Sequence, residues 1–309
     1  MKLQTPAYVY MGGEICAWSE ARLHIGCEAV TRGLNVFEGV KCYRQPDGDL
    51  AAVMLGPHYE RLVRSARLLH IPCEATFEEY QAAIRQLVRL LEEPGKEMWL
   101  RTTLYVTQGH WGEDTLSDLV VTAYQADMAP PEPVNLGVST WRRSEDVSLP
   151  ARIKTSTNYQ VGRLARIEGR AAGCQDMILL NQHGRVAEAT GSCILMVRDG
   201  KIVTPPPTEG ALESITVDIV EALADSMGLC FVRRPIDRTE LLVADEIALC
   251  GTLAELVPVR KIERLSVCGE SHILGQLQKR YFEVVRGIQQ HPSVELTRVS
   301  ALRDQTASV

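Results

Sequence analysis

Several common signatures are missing from this 309-residue sequence. No apolar run reaches the ~18 residues that a membrane-spanning helix needs, so no span is expected. Neither GxGxxG nor GxxxxGKS occurs, which removes the two common nucleotide-phosphate loops. Nine cysteines are scattered over positions 16, 27, 42, 73, 174, 193, 230, 250 and 268. Their number is odd and no Cys-x-x-Cys pair occurs. That argues against a zinc site and against a disulfide framework, and favours a reducing cytoplasm. The opening residues Met1–Pro6 lead into no secretory apolar segment. Acidic residues (39) outnumber Lys and Arg (33), giving a formal net charge of −6. A dedicated nucleic-acid binder would show the opposite balance. There is no internal repeat and no low-complexity tract.

What is present is an ordinary globular composition, 45% hydrophobic and 23% charged. The length allows a sizeable core and, at roughly 100–200 residues per domain, about two domains. Met128–Val134 (MAPPEPV) holds three prolines in seven residues and reads as an extended connection. The expected organisation is a small α+β domain over residues 1–127, a linker over 128–134, and a larger domain over 135–309. Strands are expected at Ala7–Glu14, turning at Gly12-Gly13, and at Asn35–Tyr43, Ala51–Leu55, Met98–Thr107 and Leu119–Ala123. In the second half they are expected at Val134–Trp141, Asp176–Leu180, Ile194–Arg198, Lys201–Thr204 and Glu246–Cys250. Helical spacing marks His58–His70, Phe77–Leu91, Gly162–Ala172, Ser214–Met227 and Ser271–Gln289. The last ~17 residues are polar and expected to be unanchored. Strands and helices mixed in both halves suit α+β better than a regular βαβ array.

Composition and periodicity stop there, but local strings go further. The N-terminal half holds Val36-Phe37-Glu38-Gly39-Val40-Lys41 and Arg61-Leu62-Val63-Arg64-Ser65-Ala66. Ile153-Lys154-Thr155-Ser156-Thr157-Asn158-Tyr159 follows, then Gly184-Arg185-Val186-Ala187-Glu188-Ala189-Thr190-Gly191. Thr204-Pro205-Pro206, Gly210-Ala211-Leu212-Glu213-Ser214-Ile215-Thr216, Ala244-Asp245-Glu246, Cys250-Gly251-Thr252-Leu253-Ala254-Glu255 and Pro258-Val259-Arg260 complete the set. In this order, over about residues 7–265, they resemble the branched-chain aminotransferase group of the class IV (fold-type IV) pyridoxal-phosphate enzymes. The resemblance implies a two-domain α+β fold, pyridoxal 5'-phosphate as cofactor and a homodimer or higher homo-oligomer. It implies transamination between an apolar or branched-chain L-amino acid and a 2-oxo acid such as 2-oxoglutarate, ping-pong through pyridoxamine phosphate. D-amino acids, β-amino acids or amines as donors stay open, as does a lyase of the aminodeoxychorismate type.

The resemblance makes Lys154 the catalytic, cofactor-anchoring lysine, a role that needs an amine able to lose its proton. It makes Glu188 the carboxylate that pairs with the pyridine nitrogen, where a protonated ring acts as electron sink. Tyr159 would donate to the cofactor's phenolic oxygen. Arg61 would fork two phosphate oxygens. Ile215 and Thr216 would add backbone N–H groups at a helix N-terminus, and Thr252 would complete the phosphate cup. Phe37, Trp99, Arg101, Trp111, Thr252, Leu253 and Arg32 would line the substrate.

Four positions depart from the family pattern. Trp99-Leu100-Arg101 stands where Tyr-x-Arg is frequent, so a hydroxyl near the substrate carboxylate is replaced by an indole N–H. Arg32 stands where tyrosine is frequent. It either meets a second carboxylate on the substrate or pairs with Glu28. Ser214 replaces a glycine before the helix, and Cys193 an asparagine after the glutamate string. Cys193 reads as a packed thiol. In Gly109-His110-Trp111-Gly112-Glu113, Trp111 either walls the partner's pocket or anchors a surface loop, and His110 reads as solvated.

Overall fold

The computed structural model describes residues 4–267 and 272–300. Cys268, the expected helix start at Ser271 and residues 301–309 lie outside them. The chain divides into two compact units. One comprises the chain up to Ala129 together with the segment from Glu283, and the other is Pro130–Phe282.

Unit 1 opens with the hairpin β1 (Tyr8–Met11) and β2 (Glu14–Ala17). A single helical turn, α1 (Glu28–Thr31), precedes β3 (Asn35–Arg44) and β4 (Leu50–Val53). Two helices follow, α2 (Leu55–Leu68) and α3 (Phe77–Leu91). The long hairpin β5 (Glu97–His110) and β6 (Glu113–Ala126) closes this stretch. Helix α3 matches its expected bounds because its signals are local. Thr76 accepts from the Glu79 N–H while the Glu79 carboxylate accepts from the Thr76 N–H, a reciprocal cap. Tyr80, Ala83, Ile84, Leu87 and Val88 form one buried stripe.

In the sheet, β3 and β5 pair antiparallel with Gly39 opposite Arg101 and Lys41 opposite Trp99. Side chains alternate across the pleat. Val36, Val40, Leu100 and Leu104 therefore share one face and are fully or almost fully buried. Phe37, Gly39, Trp99 and Arg101 share the other.

Unit 2 begins with β7 (Val134–Arg142) and a 3-10 turn at Ser156–Tyr159 leading into α4 (Gln160–Ala171). Gly173, at φ +74°, lies just past the helix end. Then come β8 (Asp176–Leu180), β9 (Val186–Ala189), β10 (Cys193–Arg198) and β11 (Lys201–Thr204). Helix α5 (Ile215–Ser226) precedes β12 (Phe231–Arg233) and the hairpin β13 (Glu246–Gly251) and β14 (Glu255–Ile262). The sheet order is β12-β11-β10-β13-β14-β7-β8-β9, with the short β15 (Leu265–Ser266) beside β14. Leu136, Ile178, Val186, Ile194, Ile247 and Val257 belong to its apolar core.

Helix α6 (Ile273–Val285) carries the chain back to unit 1. There β16 (Leu296–Arg298) pairs antiparallel with β4, so the first sheet reads β16-β4-β3-β5-β6-β1-β2. The described part of the C-terminal segment thus differs from the expectation of an unanchored tail. It also separates from the 135–309 domain, because its backbone hydrogen bonds go to β4 and the Ser300 hydroxyl accepts from the Leu50 N–H. Among the described residues no helix is long and apolar enough to cross a membrane.

Beneath the first sheet Glu38 is fully buried. Its Oε1 accepts from Arg61 Nε at 2.7 Å, and its Oε2 lies 2.8 Å from Arg61 Nη2 and 2.7 Å from His58 Nδ1. Burial pushes this carboxyl up, but Arg61 and His58, by charge and hydrogen bond, hold it well below the usual carboxylate range. Its stabilisation is therefore complete above its unfolded value of about 4.3 and is lost as the pH falls below that value. Glu38→Gln should cost about 3–5 kcal/mol in urea unfolding near neutral pH. That penalty should shrink between about pH 5 and pH 3; a penalty constant over this range would exclude the ion pair as its source.

Candidate active site

Unit 2 brings together much of what the sequence singled out. Lys154 lies just before the 3-10 turn that leads into α4 and Tyr159 ends it, and this spacing lets the Lys154 amine donate to the Tyr159 hydroxyl at 2.9 Å. Both side chains are half-buried. Glu188 lies on β9 and is 7% exposed, a buried strand residue rather than a solvated turn. Its Oε2 accepts from the Leu212 N–H at 3.0 Å, and its Oε1 lies 3.0 Å from Arg143 Nη2.

Ile215 and Thr216 are the first residues of α5. Ser214, the departure from glycine, is the N-cap, and its hydroxyl accepts from the Val217 N–H at 3.3 Å. The N–H groups of Ile215 and Thr216 have no acceptor within the helix, and the dipole favours an anion at this end. The Thr216 and Thr252 hydroxyls lie 3.3 Å apart, so the turn between β13 and β14 meets the helix terminus. Leu253, on the same turn, is exposed. Cys193 is buried and its thiol donates to the Leu212 carbonyl at 3.9 Å, a packed group as expected.

This set fits a pyridoxal-phosphate group. It offers an amine beside a phenol hydroxyl, a buried carboxylate, and a helix N-terminus with two hydroxyls. Arg143 was not foreseen. The signal available was an arginine at the end of the Val134–Trp141 strand, adjacent to a second arginine, of which only one can point outward.

In unit 1 the expectations fare unevenly. Arg101 and Phe37 meet, with the guanidinium carbon 4.0 Å from the ring centroid. Trp99 is 8% exposed and stacks on Tyr124, their centroids 5.2 Å apart. Its indole nitrogen is buried without a partner among the described residues, and a β-carbon on Gly39 would come within 3.0 Å of it. The indole thus forms a wall over Gly39. Arg61 meets Glu38 through Nε and Nη2.

Arg32 takes the second of its two readings and bonds Glu28 at 3.0 Å. Its guanidinium also lies 4.6 Å from the Trp111 ring centroid. Trp111 stands at the tip of the β5–β6 hairpin, at φ +52° and 76% exposed, its N–H donating to Glu28 at 3.2 Å. Arg32, Trp111, Glu28 and His70 border a cavity of about 500 Å³. Among the described residues no cluster of three or more His, Cys, Asp or Glu is placed to hold a metal ion.

Comparison with known proteins bears on this geometry. The sequence pattern of amino-transferase class IV matches residues 35–262. A probable branched-chain-amino-acid aminotransferase of Synechocystis is 32% identical over 276 residues, covering 87% of this chain and 89% of that protein. The solved branched-chain aminotransferase of Thermoproteus uzoniensis, with norvaline, is 29% identical with a TM-score of 0.88, covering 96% of this chain and 100% of that one. The PLP-form holoenzyme of the branched-chain aminotransferase of Thermobaculum terrenum is 34% identical with a TM-score of 0.84, covering 92% and 95%. The match spans both units and includes Lys154, Tyr159, Glu188 and Thr252, so the chain belongs to the class IV aminotransferases and has their fold-type IV α+β architecture.

Proposed function

We propose that the chain is a pyridoxal-phosphate-dependent transaminase for branched-chain L-amino acids, with 2-oxoglutarate as amino acceptor. One observation carries this reading: the Lys154 amine is held 2.9 Å from the Tyr159 hydroxyl in the unit that also buries Glu188. The branched-chain aminotransferases among its relatives support the substrate class.

Lys154 would anchor the cofactor through its amine, and the same amine would move the proton at the amino acid's α-carbon. Tyr159 donates to the cofactor's phenolic oxygen. Glu188 holds the pyridine nitrogen in its protonated form. When bound, the cofactor supplies an electron sink for charge developing at the α-carbon. The Ile215 and Thr216 N–H groups and the Thr252 hydroxyl would hold its phosphate. Arg61, which the family resemblance assigns to the phosphate, is held by Glu38 through Nε and Nη2. In unit 1, Arg101 receives the substrate carboxylate, with Phe37 and Trp99 as apolar walls. The donor leaves as a 2-oxo acid before the acceptor enters, hence ping-pong kinetics.

The protein works as a homodimer in the cytoplasm. Ile25 and Trp111, each 76% exposed, with Val30 and Leu116, leave unit 1 an apolar surface that a second copy would cover. Trp111 then faces the partner's substrate.

Holoenzyme mixed with single amino acids should lose the absorbance band of the bound cofactor with Leu, Ile or Val. Conversion only by D-amino acids, β-amino acids or amines would move the substrate class while keeping the cofactor site. Lys154→Ala should lower turnover by about 10²–10⁴-fold or more. It should also retain no cofactor after borohydride reduction and denaturation, and retention would refute the anchor. Glu188→Gln should lower kcat by about 10–100-fold, the value of a charge-assisted hydrogen bond; unchanged kcat would remove Glu188 from the ring nitrogen. Light scattering should give twice the chain mass, and a monomeric active enzyme would contradict the dimer.

A further inference from the structure

One buried cation in unit 2 has no place in the chemistry described so far. Arg143 immediately follows β7 and is 7% exposed. Its guanidinium reaches three segments at once. Nε donates to the Gly210 carbonyl at 3.1 Å, Nη1 to the Asn158 carbonyl at 2.8 Å, and Nη2 lies 3.0 Å from Glu188 Oε1.

Each partner adjoins a residue of the candidate site. Asn158 precedes Tyr159, and its side chain donates to the carbonyls of Pro150 and Ile153, which ties down the loop bearing Lys154. Gly210 lies on the segment that leads to α5, and two residues on, Leu212 donates to the other oxygen of Glu188. Gly210 adopts φ +93°, and a β-carbon there would come 3.3 Å from Arg143 Cγ. The loop is therefore shaped around the arginine side chain.

We propose that Arg143 is a positioning residue that sets the plane of the Glu188 carboxylate toward the cofactor's ring nitrogen. The proposal rests on the reading of Glu188 given above. A carboxylate held through one oxygen can still swing about that bond. Leu212 fixes Oε2 and Arg143 fixes Oε1, which leaves one orientation. The Gly210 and Asn158 carbonyls in turn fix the guanidinium. Only a planar fork with several donors meets three acceptors in three directions. A lysine supplies the charge but not the geometry.

The test is a double-mutant cycle on the full chain. Arg143→Lys, Arg143→Gln, Glu188→Gln and the Arg143→Lys/Glu188→Gln pair are stripped of cofactor. Each is titrated with pyridoxal phosphate, following absorbance of the bound form, with thermal unfolding alongside. Arg143→Lys keeps the charge beside Glu188 and guards against a variant that does not fold. Each single variant should weaken cofactor binding about tenfold, and the pair no more than about the larger single loss. The pH midpoint of the bound-cofactor spectrum should move in Arg143→Lys and Glu188→Gln alike.

Losses that multiply to about a hundredfold in the pair would overturn the proposal while sparing the Glu188 reading. So would an Arg143→Lys enzyme with a lowered Tm but unchanged affinity and spectrum. Glu188→Gln without effect on affinity or spectrum would overturn the Glu188 reading, and the proposal with it.

Discussion

Burying a carboxylate is costly unless both of its oxygens are met, and the second unit is built around one such carboxylate. Glu188 sits on a four-residue strand whose other members are Val and Ala, all buried. Nothing on that strand compensates its charge. Compensation comes from afar in sequence, through Arg143 after β7 and the Leu212 N–H before α5. The loop of Lys154 and Tyr159, the strand of Glu188 and the approach to α5 are thereby tied to one guanidinium. A site assembled from separate loops gains rigidity when its supports share a partner.

The first unit uses the same device at Glu38, with Arg61 and His58. In both units an arginine contributes its planar fork rather than charge alone. A guanidinium that matches a phosphate also matches a carboxylate, and here Nε and Nη2 of Arg61 meet Glu38.

How far the sequence could be read depended on how local each signal was. Helix α3 was legible to its ends because its cap and apolar stripe lie within one segment. Lys154 and Tyr159 were legible for a similar reason, five residues apart across a single turn. Strand β9 was not, since four buried residues with a charge among them show no alternation. It is a strand because β8 lies beside it. Strand β16 is only three residues, regular only against β4. Where the indole of Trp99 packs depends on Gly39 on the neighbouring strand, which no local string shows.

The return of β16 to β4 also orders events in time. The first sheet is discontinuous in sequence, with the whole second unit inserted between β6 and its final strand. During synthesis, β4 emerges early and keeps one edge unpaired until some 240 further residues have been made. An open edge of that kind is a template for mispairing between nascent chains. The first unit can therefore collapse early but completes its sheet last, and its most exposed moment falls before the C-terminal segment leaves the ribosome.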